Sequence, residues 1–280
     1  MRITGAAPTR EYIAAIEASE MDYLSDRMIA IRERSDNPEG VELKAVGEAV
    51  CFYSQGMPWP SFNTVKGAGS AEAAAIDEMV DFYKTRERRP QFEIVPGVED
   101  RRTLQALSER GFFASGTHAS LALDLALWKP KAFDTPRVRI SKLQESEIEA
   151  YAEIHCKAFG LPEHGIAPVA ANNKVLLGRP GWTFFIAHVE DRPAAAAVMY
   201  IKDRTASLTF AATLPEYRKT GLHEQLLHRR FSEAKQQGCD LVVGQCSFLS
   251  PSHRNMERAG MKVAYVRTTW TPILKPRSDA

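Results

Sequence analysis

The chain has 280 residues, 44% of them apolar, with 36 Lys and Arg against 35 Asp and Glu. That length holds one large or two small domains with sizeable cores, and a formal net charge of +1 gives no global field to gather nucleic acid or an anionic membrane. The N-terminal stretch MRITGAAPTREYIAAIEASEMD lacks an apolar leader core, and no stretch reaches the roughly 18 apolar residues of a membrane helix, so a cytoplasmic protein without nucleic-acid or membrane partners is expected.

In the first half, Tyr12, Ile13, Ile16, Tyr23, Leu24, Met28 and Ile31 recur at near-helical spacing and stop before Ser35-Asp36-Asn37-Pro38, which predicts a long amphipathic helix. Residues 41–53 and the stretch around 62–65 read as short strands broken by Gln55-Gly56-Met57-Pro58. A helix over 71–84 follows, then a charged run from Arg86 to Arg89 that reads as a solvated helix end. A strand over 91–95, a helix over 100–110 closed by Gly111, and a strand near 117–123 complete this half.

The segment WKPKAFDTP over 128–136 has two prolines and no periodicity, the marks of a linker. The expected division is therefore a first domain over 1–127, a linker over 128–136 and a second domain over 137–280. The second domain opens with a strand over 137–140 and helices over 145–158 and up to about 177. Three apolar runs over 182–189, 194–201 and 206–214 are separated only by Glu190-Asp191-Arg192-Pro193 and Lys202-Asp203-Arg204, which implies an antiparallel meander. Leu222, Leu226, Leu227, Phe231 and Ala234 form a helical stripe leading to the buried strand Leu241-Val242-Val243, so a crossover helix returns the chain to the sheet. A short helix over 255–259, stopped by Gly260, and a strand over 263–270 close the order.

The most informative segment is Thr213-Leu214-Pro215-Glu216-Tyr217-Arg218-Lys219-Thr220-Gly221-Leu222-His223-Glu224. A strand ends at a proline, a basic loop follows, and a glycine admits the chain into a helix. A helix start leaves about four backbone N–H groups without internal partners at the positive end of the dipole, which suits a phosphate or diphosphate. The alternative is that Thr220 merely caps the helix and the two cations are solvated. Cys51, Cys156, Cys239 and Cys246 form no C-x-x-C pair and read as small buried hydrophobes. His155, His188 and His228 share no ligand spacing, so no metal is expected.

The pattern P-x-x-R-x-x-G-x-x-x-x-L-L after a strand meander resembles the acyl-CoA-binding signature of the GNAT superfamily of N-acyltransferases. The resemblance covers 137–271, including the closing segment from Ser252 to Met261, which is similar to the family's last helix and its Gly-Phe ending. It implies acetyl-CoA as acyl donor and a small-molecule amine as acceptor. On this resemblance Ala211, Ala212 and Thr213 would lend backbone groups to the pantetheine arm and thioester carbonyl, and the loop of Arg218, Lys219, Thr220, Gly221, Leu222, His223 and Glu224 would hold the diphosphate. Ser252 and Asn255 are candidates for further cofactor contacts, and equally for turn and cap roles. Tyr265 and Ser252 are candidate acids or bases, and Glu163 and His164 candidate substrate contacts.

Three positions depart from the family pattern: Lys219 and His223 stand where glycine or a small residue is usual, and Met256 stands where many members carry a proton-donating tyrosine. Methionine cannot donate a proton, which leaves a non-catalytic acyl-CoA-binding or sensing protein as the alternative function. The first half repeats the order of elements, and Leu104-Gln105-Ala106-Leu107-Ser108-Glu109-Arg110-Gly111-Phe112 is similar to the same closing segment. A diverged copy is therefore expected, with Asn63-Thr64-Val65-Lys66-Gly67-Ala68-Gly69-Ser70 in place of the cofactor loop. The expected fold is α+β, two tandem GNAT-like domains each with a mixed, mostly antiparallel sheet, forming a monomer or homodimer.

Overall fold

The computed structural model describes residues 8–97 and 101–273. The chain forms two compact units, one made of Ser120–Ala264, the other of the described residues up to Ala119 together with Tyr265 onward. The division falls within two strands rather than within the expected 128–136 linker.

The unit formed by the first part of the chain opens with α1 (Arg10–Arg32), capped by Thr9, whose hydroxyl accepts from the Tyr12 amide at 3.2 Å. Its buried stripe contains Tyr12, Ile13, Ile16, Leu24, Met28 and Ile31, close to the predicted set. The expected strand region 41–53 is a hairpin of β1 (Val41–Val46) and β2 (Ala49–Ser54), paired antiparallel around Gly47 and Glu48. The two-residue turn closes because Gly47 takes φ +61°, a conformation that costs a residue with a Cβ. β3 (Thr64–Lys66) pairs antiparallel with β2 and parallel with β4 (Gln91–Ile94). Between them lie a 3-10 turn (Ser70–Ala75) and α2 (Ile76–Lys84), so the helix expected from 71 starts in earnest only at Ile76. α3 (Arg101–Glu109) and the first part of β5 (Phe112–Asp124) follow. The basic run is not simply solvated: Arg86 makes a forked pair with Glu42 at 2.7 and 2.9 Å and sits 4.0 Å over the Phe82 ring.

The other unit contains β6 (Val138–Lys142), α4 (Ile148–Phe159), α5 (Ile166–Lys174), and the meander β7 (Trp182–Val189), β8 (Arg192–Lys202) and β9 (Thr205–Thr213). Then come α6 (Leu222–Gln236), β10 (Leu241–Ser247), α7 (Pro251–Arg258) and the start of β11 (Lys262–Pro272). Strands β6 to β9 pair antiparallel in sequence, and β10 returns parallel to β9. The fold is thus mixed α+β with mostly antiparallel sheet pairing. Both units repeat one pattern: antiparallel strands, then a crossover helix to a parallel strand, with β3, α2 and β4 corresponding to β9, α6 and β10.

The segment 128–136 lies along α6 rather than free. Trp128 is buried, donates its indole N–H to His228 Nδ1 at 3.3 Å and packs edge-on against Phe231, while Lys131 pairs with Glu224 at 2.6 Å. Its prolines stop secondary structure, but its aromatic side chains supply apolar surface that α6 buries. Cys51, Cys156 and Cys239 are buried, Cys246 is partly buried, and all four are free thiols. No helix among the described residues is long and apolar enough to cross a membrane.

Candidate functional site

A break in the meander opens the site. β8 and β9 pair in register from Lys202–Thr205 to Val198–Thr209, then shift so that Ala196 faces Ala212, leaving Phe210 and Ala211 opposite one residue of β8. Phe210 adopts φ +48°, the bend expected where an extra residue bulges from a strand. On the other side β9 pairs with β10 only over Thr205–Leu208 and Leu241–Gly244. Beyond that point the two parallel strands part, and the freed end of β9 faces a cavity.

This cavity, about 730 Å³, is lined by Ala211, Ala212 and Thr213 on β9, by the loop from Tyr217 to Lys219, and by Gly221, Leu222, His223 and Glu224 at the start of α6. Ala158 and Phe159 from the end of α4, and Pro251, Ser252, Arg254, Asn255 and Arg258 from α7, complete the wall. The structure thus brings together the predicted β9 segment, most of the loop, Ser252 and Asn255. Thr220 does not line the cavity; its hydroxyl donates to the Tyr217 carbonyl at 2.6 Å and braces the loop from within.

The loop geometry suits an anion. Gly221 takes φ +85°, and a Cβ added there would meet nothing within 4 Å, so its role is conformational. Lys219 also takes positive φ, at +66°, which turns the chain sharply into α6. The Gln225 amide bonds to the Gly221 carbonyl, so the amides of Leu222, His223 and Glu224 stand before the first helical hydrogen bond, at the positive end of a 15-residue helix. Arg218 donates to the Ala158 carbonyl at 2.8 Å, tying loop to α4. Glu224 is the cavity's one carboxylate, and its pairing with Lys131 leaves the wall cationic.

α7 is capped by Ser250, whose hydroxyl accepts from the His253 amide at 3.2 Å. Ser252 is therefore free of that task and turns to the cavity, and Asn255 contacts His223 and Arg258. Burial, with the Arg230 cation adding to it, lowers the His223 imidazole to about 4. Arg230, a residue of α6, is itself fully buried, its Nε donating to the Leu226 carbonyl and its Nη1 to that of Val198 on β8, each at 3.1 Å.

Tyr265, Glu163 and His164 do not line this cavity. Tyr265 is outside the cavity: it belongs to the other unit, is buried, and donates its hydroxyl to Glu17 at 3.3 Å. Glu163 and His164 form an exposed 3-10 turn and do not line the cavity. Met256 is buried, and its methyl would stand 3.2 Å from a Cβ added at Gly244, so that helix position is core. The lining residues that the sequence reading missed are Ala158, Phe159, Tyr217, Pro251, Arg254 and Arg258. For Arg254 and Arg258 the signal was present, since cations four apart on a helix share a face.

In the first unit Glu72 accepts from the amides of Gly69 and Glu48 at 3.0 and 3.1 Å, which ties the turn before α2 to the β1–β2 hairpin.

Residues 171–248 match the family model described as an acetyltransferase (GNAT) domain. No curated protein sequence matches the chain. Among solved structures, it is similar to a GCN5-related N-acetyltransferase from Kribbella flavida, with a TM-score of 0.68 at 14% identity over 95% of this chain and 97% of that one. It is likewise similar to a GCN5-related N-acetyltransferase from Sphaerobacter thermophilus, with a TM-score of 0.63 at 13% identity over 98% and 96%. A tandem GNAT protein from the clavulanic acid biosynthesis pathway gives a TM-score of 0.62 at 12% identity over 97% and 99%. Residues 171–248 thus match a GNAT acetyltransferase domain by sequence, and the chain that carries them has the fold of the GNAT N-acetyltransferases it resembles.

Proposed function

We propose that the cavity of the second unit binds acetyl-CoA or a short acyl-CoA and that the protein transfers the acyl group to a small-molecule amine. The observation that carries this reading is a single cavity joining the freed end of β9 to the N-terminus of α6. When bound, the donor supplies an activated acyl thioester. The amides of Leu222, His223 and Glu224, with Lys219 beside them, hold a diphosphate, and the backbone of Ala211 to Thr213 aligns an extended arm as a further strand would. Backbone N–H groups on that strand are fixed donors for a carbonyl oxygen that gains charge during attack. Of the hydroxyls in the wall, Ser252 and Tyr217 are the groups that can pass a proton to a departing thiolate, in place of Met256. The first unit, with Asn63 to Ser70 in place of the cofactor loop, serves as a diverged copy without its own donor site.

Release of free thiol from acetyl-CoA in the presence of acceptor amines tests the transfer. A non-catalytic acyl-CoA binder is favoured by one observation, the buried Met256 where a proton donor is usual. Amine-dependent turnover removes that alternative, whereas tight binding without turnover for any amine supports it. Gly221→Asp separates site from fold. An L residue at this φ costs about 1–2 kcal/mol and its Cβ meets no neighbour within 4 Å, but it brings a negative charge to the start of α6, so donor binding falls while the protein still folds.

A further inference from the structure

His223 fills a place where loops of this kind carry glycine or a small residue, and its contacts define which nitrogen bears the proton. Asn255 Nδ2 lies 3.1 Å from His223 Nδ1, while Asn255 Oδ1 accepts from Arg258 Nη1 at 3.0 Å. A guanidinium only donates, so Arg258 dictates that the oxygen of the amide faces it. The amide nitrogen then faces the ring and donates to Nδ1. Nδ1 must offer a lone pair, and a neutral imidazole with a bare Nδ1 carries its proton on Nε2. The ring stays neutral at pH 7 because burial and Arg230 hold it near 4. His223 is the second residue of α6 and lines the cavity, and among the described residues the hydrogen-bond partner of its imidazole is Asn255.

We propose that His223 donates its Nε2–H to a phosphate oxygen in the diphosphate subsite, and that Asn255 and Arg258 are positioning residues that hold the imidazole in the donating tautomer. This rests on the acyl-CoA reading above and adds a residue that determines how the diphosphate is recognised. A loop with a small residue here gives only backbone donors; this one fills the space and returns a side-chain donor. Hydrogen bonds to charged groups are stronger than neutral ones, so one such donor matters to affinity.

Calorimetry with CoA on His223→Phe, His223→Gln and Asn255→Asp tests the proposal, together with ¹⁵N NMR of the imidazole in the free wild-type protein. His223→Phe removes the donor and should weaken CoA roughly ten- to a hundredfold, and His223→Gln, which keeps an N–H at similar reach, should restore most of the loss. The NMR spectrum should show Nε2 protonated and Nδ1 bare. Asn255→Asp can only accept, so it should reverse the two and weaken CoA as His223→Phe does. Unchanged CoA affinity in His223→Phe, or a proton on Nδ1 in the wild type, overturns the proposal while the acyl-CoA reading stands. Failure of the wild type to bind CoA overturns that reading, and the proposal with it.

Discussion

Glu17 offers a quantitative test of the physical account. It is buried in α1, with Oε2 accepting from Tyr265 and Oε1 lacking a hydrogen-bond partner among the described residues. Around it Lys66 bonds to Glu20 at 3.0 Å and to Glu93, and Arg267 bonds to Glu20 and stands 2.9 Å from Glu93. Two cations already balance Glu20 and Glu93, so ionising Glu17 adds an unmatched buried charge. Burial outweighs the pull of Lys66 and pushes the Glu17 carboxyl from 4.5 to about 7. Between those values the unfolded chain has lost the proton and the folded one keeps it, so stability falls as pH rises from 4.5 to 7 and is level above. At about 1.4 kcal/mol per pH unit the loss is about 3 kcal/mol. Burial acts on Glu20 in the same sense, but Arg267 and Lys66 outweigh it and hold Glu20 at about 2. Its contribution is lost only as pH falls below 4.5, outside the Glu17 window. Glu17→Gln keeps the shape and cannot ionise. Urea unfolding should find it within about 1 kcal/mol of the wild type at pH 4.5 and more stable by about 3 kcal/mol at pH 8. A stability difference that does not change with pH would refute the reasoning.

Two further predictions follow from single residues. A Cβ at Gly47 would stand 2.5 Å from Glu72 Oε1, so Gly47→Ala adds a left-handed alanine and displaces the carboxylate from two amides. Chemical unfolding should show a loss of roughly 2–3 kcal/mol, and wild-type stability would contradict the role given to Glu72. Arg230→Met removes the cation that helps depress His223, so an NMR titration should show the imidazole rising from about 4 but stopping short of 6.5, since burial remains; no movement would remove Arg230 from the account.

Much of this architecture was legible because its signals are local. The meander announced itself through short turns at Glu190-Asp191 and Asp203-Arg204, and the loop before α6 through Gly221, whose positive φ suits a residue without a Cβ. What escaped depended on packing. Gly47-Glu48 did not read as a turn because the pair lacks the usual Asn or Asp, and the turn is stabilised by Glu72 from 24 residues away. Segment 128–136 read as a linker because prolines signal chain breaks but say nothing of where Trp128 lands. Tyr265 read as a candidate acid or base, and equally as core, from its place on the last strand, whereas the division between the units passes just before it. Arg254 and Arg258 lie on the helix face beside Met256, and charged residues four apart on a helix are as common on a solvated face as on a site.

The most direct test of the central claim is a calorimetric titration of the purified protein with acetyl-CoA, run beside Gly221→Asp and with desulfo-CoA as a control for the thiol end. The account predicts micromolar binding, about 8 kcal/mol, to the wild type, retained for desulfo-CoA and lost in Gly221→Asp. No binding heat and no thermal shift with the wild type, or equal affinity in Gly221→Asp, would contradict it.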